Sequence, residues 1–132
     1  MGTFKNLSVI SIAVFLCFGC LTLHAETTEK LLSDCRPVTQ AKVMSDGSVM
    51  MNADFESGFC WGAFVIIDQM LMTVDGATNR PLFGVCIPKD HTRYQMIAIF
   101  VRYAEKHPER YNEDIPWVAV DAAREAFPCP TK

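Results

Sequence analysis

The chain has 132 residues, half of them hydrophobic and a fifth charged, which suits one folded domain and argues against a disordered chain. Its formal net charge at pH 7 is −3. A nucleic-acid-binding protein needs a basic face to meet phosphates, so the composition argues against that class, and it gives no sign of binding to anionic lipid.

The first 25 residues have the layout of a secretory signal peptide. Lys5 precedes an uncharged, mostly apolar stretch over residues 7–23, and Ala25 is a small residue suited to cleavage. We therefore predict a signal peptide over 1–25 and a helical domain over 26–132. Because the signal carries one cation and no anion, the remaining domain has a net charge of −4.

Two other interpretations of this segment stay open. The apolar stretch of 17 residues is at the lower limit for an uncleaved membrane anchor. Lipid attachment at Cys20 is the second, although Cys17 is a poor substitute for the leucine-like residue expected three positions earlier. With cleavage we expect a periplasmic protein with no membrane attachment.

Four cysteines remain in the predicted domain, and they are widely spaced: Cys35, Cys60, Cys86 and Cys129. An even number in an exported domain of about 107 residues predicts two disulfides. Zinc binding is the alternative use, but the four cysteines form no close pairs and no histidine lies beside them. We therefore predict neither a metal nor a cofactor.

Helical periodicity and cap signals predict four helices and no strand, over residues 28–35, 54–74, 92–107 and 114–127. The first helix is expected to end before Pro37, and the segment 37–53 to be an irregular connector with a turn at 45–48. The predicted fold is a small all-α bundle of about four helices, stapled by disulfides. An up-and-down arrangement favours pairing of Cys35 with Cys60 and of Cys86 with Cys129 over the other two connectivities.

The second helix carries more apolar surface than one core-facing stripe requires. Its predicted core stripe is Phe59, Ala63, Ile66, Met70 and Val74, and its second stripe is Trp61, Phe64, Val65 and Met72. We assign the second stripe to a homodimer interface; binding of another partner and burial of the helix at the centre of the bundle are the alternatives. Asp68 interrupts the apolar belt, either as a partly exposed residue at its edge or as a buried charge paired across an interface.

No catalytic constellation is evident. His91 and His107 lie at opposite ends of the third helix, separated by about 24 Å of helical rise, so they cannot share a metal. Serine-hydrolase and zinc-protease motifs are missing from the sequence, and the paired carboxylates lie at helix starts, on helix surfaces or in loops. We predict no catalytic residue and no enzymatic activity.

Several short motifs resemble, in this order, those of the Rap/Tai immunity proteins: Phe59-Cys60-Trp61-Gly62, Cys86-Ile87-Pro88, Thr92-x-x-Gln95, Tyr103-x-x-x-His107-Pro108-Glu109-Arg110 and Ala126-Phe127-Pro128-Cys129. The resemblance implies an all-helical periplasmic inhibitor, often dimeric, that blocks peptidoglycan-cleaving amidase toxins delivered by type VI secretion. Ala63 and Ile66 depart from the family pattern, in which an aromatic and a small residue usually occupy these places.

The leading hypothesis is therefore an immunity protein that blocks a cell-wall amidase toxin. Its expected contact residues lie in the loop over 75–90 and at the start of the third helix: Asn79, Arg80, Lys89 and Arg93. The alternatives are a structural or stress-related periplasmic protein on the same scaffold, without a toxin partner, and a small hydrolase.

Overall fold

The computed structural model describes residues 26–130, so the predicted signal peptide and its two alternatives lie outside the described residues. The elements, in chain order, are α1 (Thr28–Thr39), β1 (Lys42–Val43), β2 (Val49–Met50), α2 (Phe55–Leu71), α3 (Arg93–Lys106), a short 3₁₀ helix (Pro108–Arg110) and α4 (Ile115–Ala126). The prediction of a small, disulfide-stapled bundle of four helices is confirmed. None of the helices in 26–130 has the length and apolar character needed to cross a membrane.

The helix starts follow the caps in the sequence. At α2, the Asp54 carboxylate accepts a hydrogen bond from the amide of Ser57 at 2.7 Å, which lowers the pKa of Asp54. At α3, the Thr92 hydroxyl accepts from the Gln95 amide, and the Thr92 amide donates to the Gln95 side chain. This capping box satisfies two amides that the helix itself leaves unpaired.

Two helix ends differ from the prediction. Helix α1 continues through Pro37 to Thr39, because the proline removes only one amide donor, close to the end of the helix, while Val38 packs fully into the core. Helix α2 ends at Leu71, three residues early, because the chain turns there and Val74 pairs with a later segment of the loop.

The prediction of no strand is wrong for the connector between α1 and α2. Strands β1 and β2 form a short antiparallel hairpin, with Lys42 opposite Met50 and Val43 opposite Val49. Its turn is the one expected at 45–48, where Gly47 has a φ of 82° that favours glycine. Two residues per strand are too few to produce a recognisable alternation in the sequence.

Helix α3, and not α2, is at the centre of the bundle and packs against the other three helices. Its buried side chains are Met96, Ile97, Phe100, Val101 and Ala104. The ring of Phe100 meets that of Phe64 edge to face, with centroids 5.5 Å apart. Helix α2 therefore lies at the side of the bundle and keeps one face outside it.

The rotation of α2 about its axis differs from the predicted stripes. Phe64 is a core residue, 1% exposed, so its assignment to a dimer interface is wrong, whereas Ile66, predicted to be buried, is 69% exposed. The disulfide of Cys60 explains this rotation. Since Cys60 is tied to α1 inside the core, the positions four, seven and eleven residues later also face inward, and these are Phe64, Ile67 and Leu71.

The two disulfides have the connectivity that the bundle layout favoured. Cys35 and Cys60, hereafter the buried disulfide, join α1 to α2 and are completely inaccessible to solvent. Cys86 and Cys129, the C-terminal disulfide, are half-buried and join the α2–α3 loop to the segment after α4. They close loops of 25 and 43 residues, so each contributes about 3–4 kcal/mol to stability.

Candidate protein-binding surface

Part of the loop between α2 and α3 is an ordered hairpin, residues 73–82, hereafter the contact hairpin. Its two arms are joined by hydrogen bonds from the amide of Asp75 to the carbonyl of Arg80 at 2.8 Å and from the amide of Leu82 to the carbonyl of Thr73 at 2.9 Å. At the tip, the Asp75 carboxylate accepts from the amides of Ala77 and Thr78 and from the Thr78 hydroxyl.

These bonds, first of all the one from the Thr78 hydroxyl, lower the pKa of Asp75. Asn79 completes the tip with a φ of 53°, a left-handed conformation that asparagine tolerates better than most residues. The tip is therefore an ordered turn that its own hydrogen bonds stabilise.

The contact residues proposed from sequence fall into two places. Asn79 and Arg80 are exposed together at the tip of the contact hairpin, and Lys89 is exposed on the segment that returns to α3. Arg93 is on the first turn of α3, where it packs against α2.

Apolar side chains accompany the contact hairpin. Met72, Val74 and Leu82, at its two ends, are each about half exposed. Sequence reasoning missed Leu82 and placed Val74 in the core, because a loop leaves no periodicity from which exposure can be read. An ordered polar tip flanked by exposed apolar residues has the composition of a protein-binding surface.

The end of the loop is fastened to α4. The Arg124 guanidinium donates to the carbonyl of Phe83 at 3.1 Å, and the amide of Cys86 donates to the carbonyl of Phe127 at 2.9 Å. The C-terminal disulfide adds a covalent connection at the same place. The contact hairpin is therefore supported by α4 although it begins at the end of α2.

A cluster of three side chains joins α2 to α3, and it consists of Trp61, Asp68 and Arg93. The guanidinium carbon of Arg93 lies 5.1 Å from the centroid of the Trp61 ring, and its Nε lies 3.6 Å from Oδ2 of Asp68. Asp68 is only 5% exposed, so its interpretation as a partly exposed edge residue is wrong. Burial raises the pKa of Asp68, while the charges of His91 and Arg93 oppose that effect.

The side of α2 that faces away from the bundle, hereafter the α2 outer face, carries almost no charge. Its exposed residues are Phe55, Gly58, Gly62, Val65, Ile66, Gln69 and Met72. Phe55 and Ile66 are 76% and 69% exposed, and a Cβ atom added at either glycine would meet nothing within 4 Å. Of the predicted dimer-interface residues, Val65 and Met72 lie here, and Trp61 is half-buried.

An open groove of about 880 Å³ runs along α3 between the ends of α1 and α4. An ion pair between Arg36 and Glu105, 3.0 Å apart, crosses it. Of the histidines in 26–130, His91 contacts the carbonyl of Pro88 through Nδ1 and His107 contacts Glu109 through Nδ1. Residues 26–130 contain no group of three histidine, cysteine, aspartate or glutamate residues able to hold a metal.

Comparison with known proteins gives one match. The family model of the Rap1a immunity proteins matches residues 27–129, which includes all four helices and both disulfides. No curated protein and no solved structure matches the chain.

Immunity proteins generally act as non-enzymatic inhibitors that bind a partner toxin. The two disulfides point to a non-cytoplasmic location. The chain belongs to the Rap1a immunity protein family.

Proposed function

We propose that this protein is a periplasmic immunity protein that binds a peptidoglycan amidase toxin delivered by type VI secretion and blocks its catalytic cleft. The observation that carries the proposal, beside the family, is the contact hairpin. A preorganised loop loses little conformational entropy on binding, which is an advantage for an inhibitor that must enter a cleft. The predicted signal peptide over 1–25 and the disulfides of the domain over 26–132 support action in the periplasm.

The tip of the contact hairpin supplies groups suited to such a cleft. Arg80 and Asn79 offer a cation and an amide at the apex, and Leu82 and Val74 offer apolar contact beside them. Arginine is among the residue types that most often dominate binding energy at interfaces, and apolar contacts beside it help to exclude water.

The test uses the oxidised protein and candidate type VI amidase toxins, beginning with any that is encoded beside its gene, with binding measured by calorimetry and inhibition by release of peptidoglycan fragments. We expect tight binding and loss of amidase activity on mixing. Arg80→Glu should weaken both, whereas Lys106→Glu, an equal charge change at the far end of α3, should weaken neither. A toxin that keeps its full activity with the protein in excess would contradict the proposal.

We further propose that two copies of the chain associate through the α2 outer face. The exposed parts of Phe55, Val65, Ile66 and Met72 amount to an area on the order of 400 Å². A standard interface buries about 800 Å² on each partner, and somewhat more than half of that area is apolar. The exposed apolar area of α2 is close to this apolar share. Gly58 and Gly62 leave room for a second α2 helix to approach closely.

Light scattering after gel filtration tests the dimer. Gly62→Leu should give a folded monomer, because a Cβ atom at Gly62 meets nothing of its own chain within 4 Å and the added side chain extends from the α2 outer face into the space of the second helix. Trp117→Ala, which removes another exposed hydrophobic side chain but on α4, should leave the dimer unchanged. A monomeric wild-type protein at all concentrations would exclude this interface.

A further inference from the structure

The cluster of Trp61, Asp68 and Arg93 contains groups that the fold leaves incompletely satisfied. Nε of Arg93 and Oδ1 of Asp68 are both buried without a hydrogen-bond partner among residues 26–130. The contact between Arg93 and Asp68, at 3.6 Å, is too long to be a hydrogen bond. The arginine is thus held in position by attraction to Asp68 and by stacking on Trp61.

Part of the Arg93 side chain remains open to solvent. The side chain is 31% exposed, and because Nε is buried, the exposed part belongs to its other atoms. Nε is the nitrogen that faces Asp68. A planar guanidinium fixed on an indole ring is preorganised for a bidentate contact, and arginine and tryptophan are the residue types most often found to dominate binding energy at interfaces.

We infer that Arg93, positioned by Trp61 and Asp68, is the recognition site for a carboxylate side chain of the partner toxin. This inference rests on the proposed function and assigns the chemistry of one contact within it. An aspartate or glutamate is the group that matches the charge and the fork geometry of a guanidinium, and such paired hydrogen bonds are roughly twice as strong as neutral ones.

The contact between Arg93 and Trp61 also connects two surfaces that the sequence predicts to be separate. The sequence predicts Trp61 in the dimer interface and Arg93 in the toxin contact, yet the two side chains touch. Val65 and Met72 follow Trp61 on the same side of α2, so apolar surface continues from the stack toward the contact hairpin. Trp61 itself, which is half-buried and lies outside the α2 outer face, is the apolar group that shields the proposed ion pair from water.

The experiment measures affinity by calorimetry between the oxidised protein and the amidase toxin that it binds in the test of the proposed function. We expect Arg93→Met to weaken binding by roughly 30-fold or more. Arg93→Lys should restore only part of the loss, because an ammonium group cannot make the bidentate contact. Trp61→Leu should weaken binding through loss of the stack. Arg102→Met is the matched control, an exposed arginine on the same helix without an ion-pair partner in the described chain, and should change affinity by less than about twofold.

Charge reversal identifies the partner group. Arg93→Glu should abolish binding, and replacement of one acidic toxin residue by lysine should restore it. Wild-type affinity for Arg93→Met overturns the inference and leaves the proposed function standing. Failure of the wild-type protein to bind removes the proposed function and the inference together. Loss of the dimer in Arg93→Met, with unchanged affinity per protomer, would assign Arg93 to the second copy and also overturn the inference.

Discussion

The rotation of α2 predicts losses of stability of very different size for two substitutions that are two residues apart. Phe64→Ala removes a ring that is 1% exposed and packs against Phe100, so a cavity forms at the contact between α2 and α3. Phenylalanine-to-alanine changes in cores cost about 3–5 kcal/mol of unfolding free energy. That is a large part of the 5–15 kcal/mol by which a typical domain is stable.

Ile66→Ala is the matched control on the other side of the helix. Ile66 is 69% exposed, so only about a third of its side chain is removed from water, which is worth roughly 1 kcal/mol. The higher helix propensity of alanine offsets this loss by a few tenths of a kcal/mol. The two variants should therefore differ by about 2–4 kcal/mol, and only Ile66→Ala should weaken association.

Urea unfolding followed by circular dichroism, at two protein concentrations, separates these effects, because association makes the midpoint depend on concentration. Equal losses, or a larger loss for Ile66→Ala, would refute the reasoning. Such a result would restore the stripe read from sequence, with Ile66 in the core and Phe64 outside.

Three further predictions concern the disulfides and the charges. Graded reduction should open the C-terminal disulfide before the buried disulfide, and it should weaken toxin binding while helicity persists. Mass spectrometry of alkylated cysteines shows the order in which the disulfides open. Simultaneous opening of both would contradict this prediction. Asp68→Asn should raise the melting temperature more at neutral pH than in acid. Burial raises the pKa of the folded Asp68 above its ordinary value, so the wild-type protein loses stability as pH rises past that ordinary value. An equal shift at both pH values would argue against burial. Arg110→Met should cost about 2 kcal/mol in urea unfolding, because Arg110 bonds Glu113, Asp121 and Tyr103 together; an unchanged midpoint would exclude that role.

Local features of the sequence were sufficient to predict much of the fold. The caps at Asp54 and Thr92 placed two helix starts, since a side chain that satisfies free amides acts within four residues. The order of helices in a bundle was sufficient to favour the observed disulfide connectivity. Pro37 was misleading because tertiary packing of the last turn of α1 outweighed one lost hydrogen bond.

The candidate site was less accessible to such reasoning. Helix α2 is apolar on nearly every side, so its periodicity does not choose which face is buried, and the disulfide at Cys60 makes that choice. The contact between Asp68 and Arg93 joins residues that are far apart in sequence, so no local pattern predicts it. The contact hairpin was recognised only as a loop, since its arms pair through single backbone bonds.

Protection of cells tests the central claim most directly. Growth of a sensitive bacterium is followed while the amidase toxin that this protein binds is directed to its periplasm, with this protein either carrying the predicted signal peptide over 1–25 or retained in the cytoplasm by its removal. The account predicts survival with the exported protein and lysis with the retained one. Lysis in both cases, with the oxidised protein present in the periplasm, would contradict it.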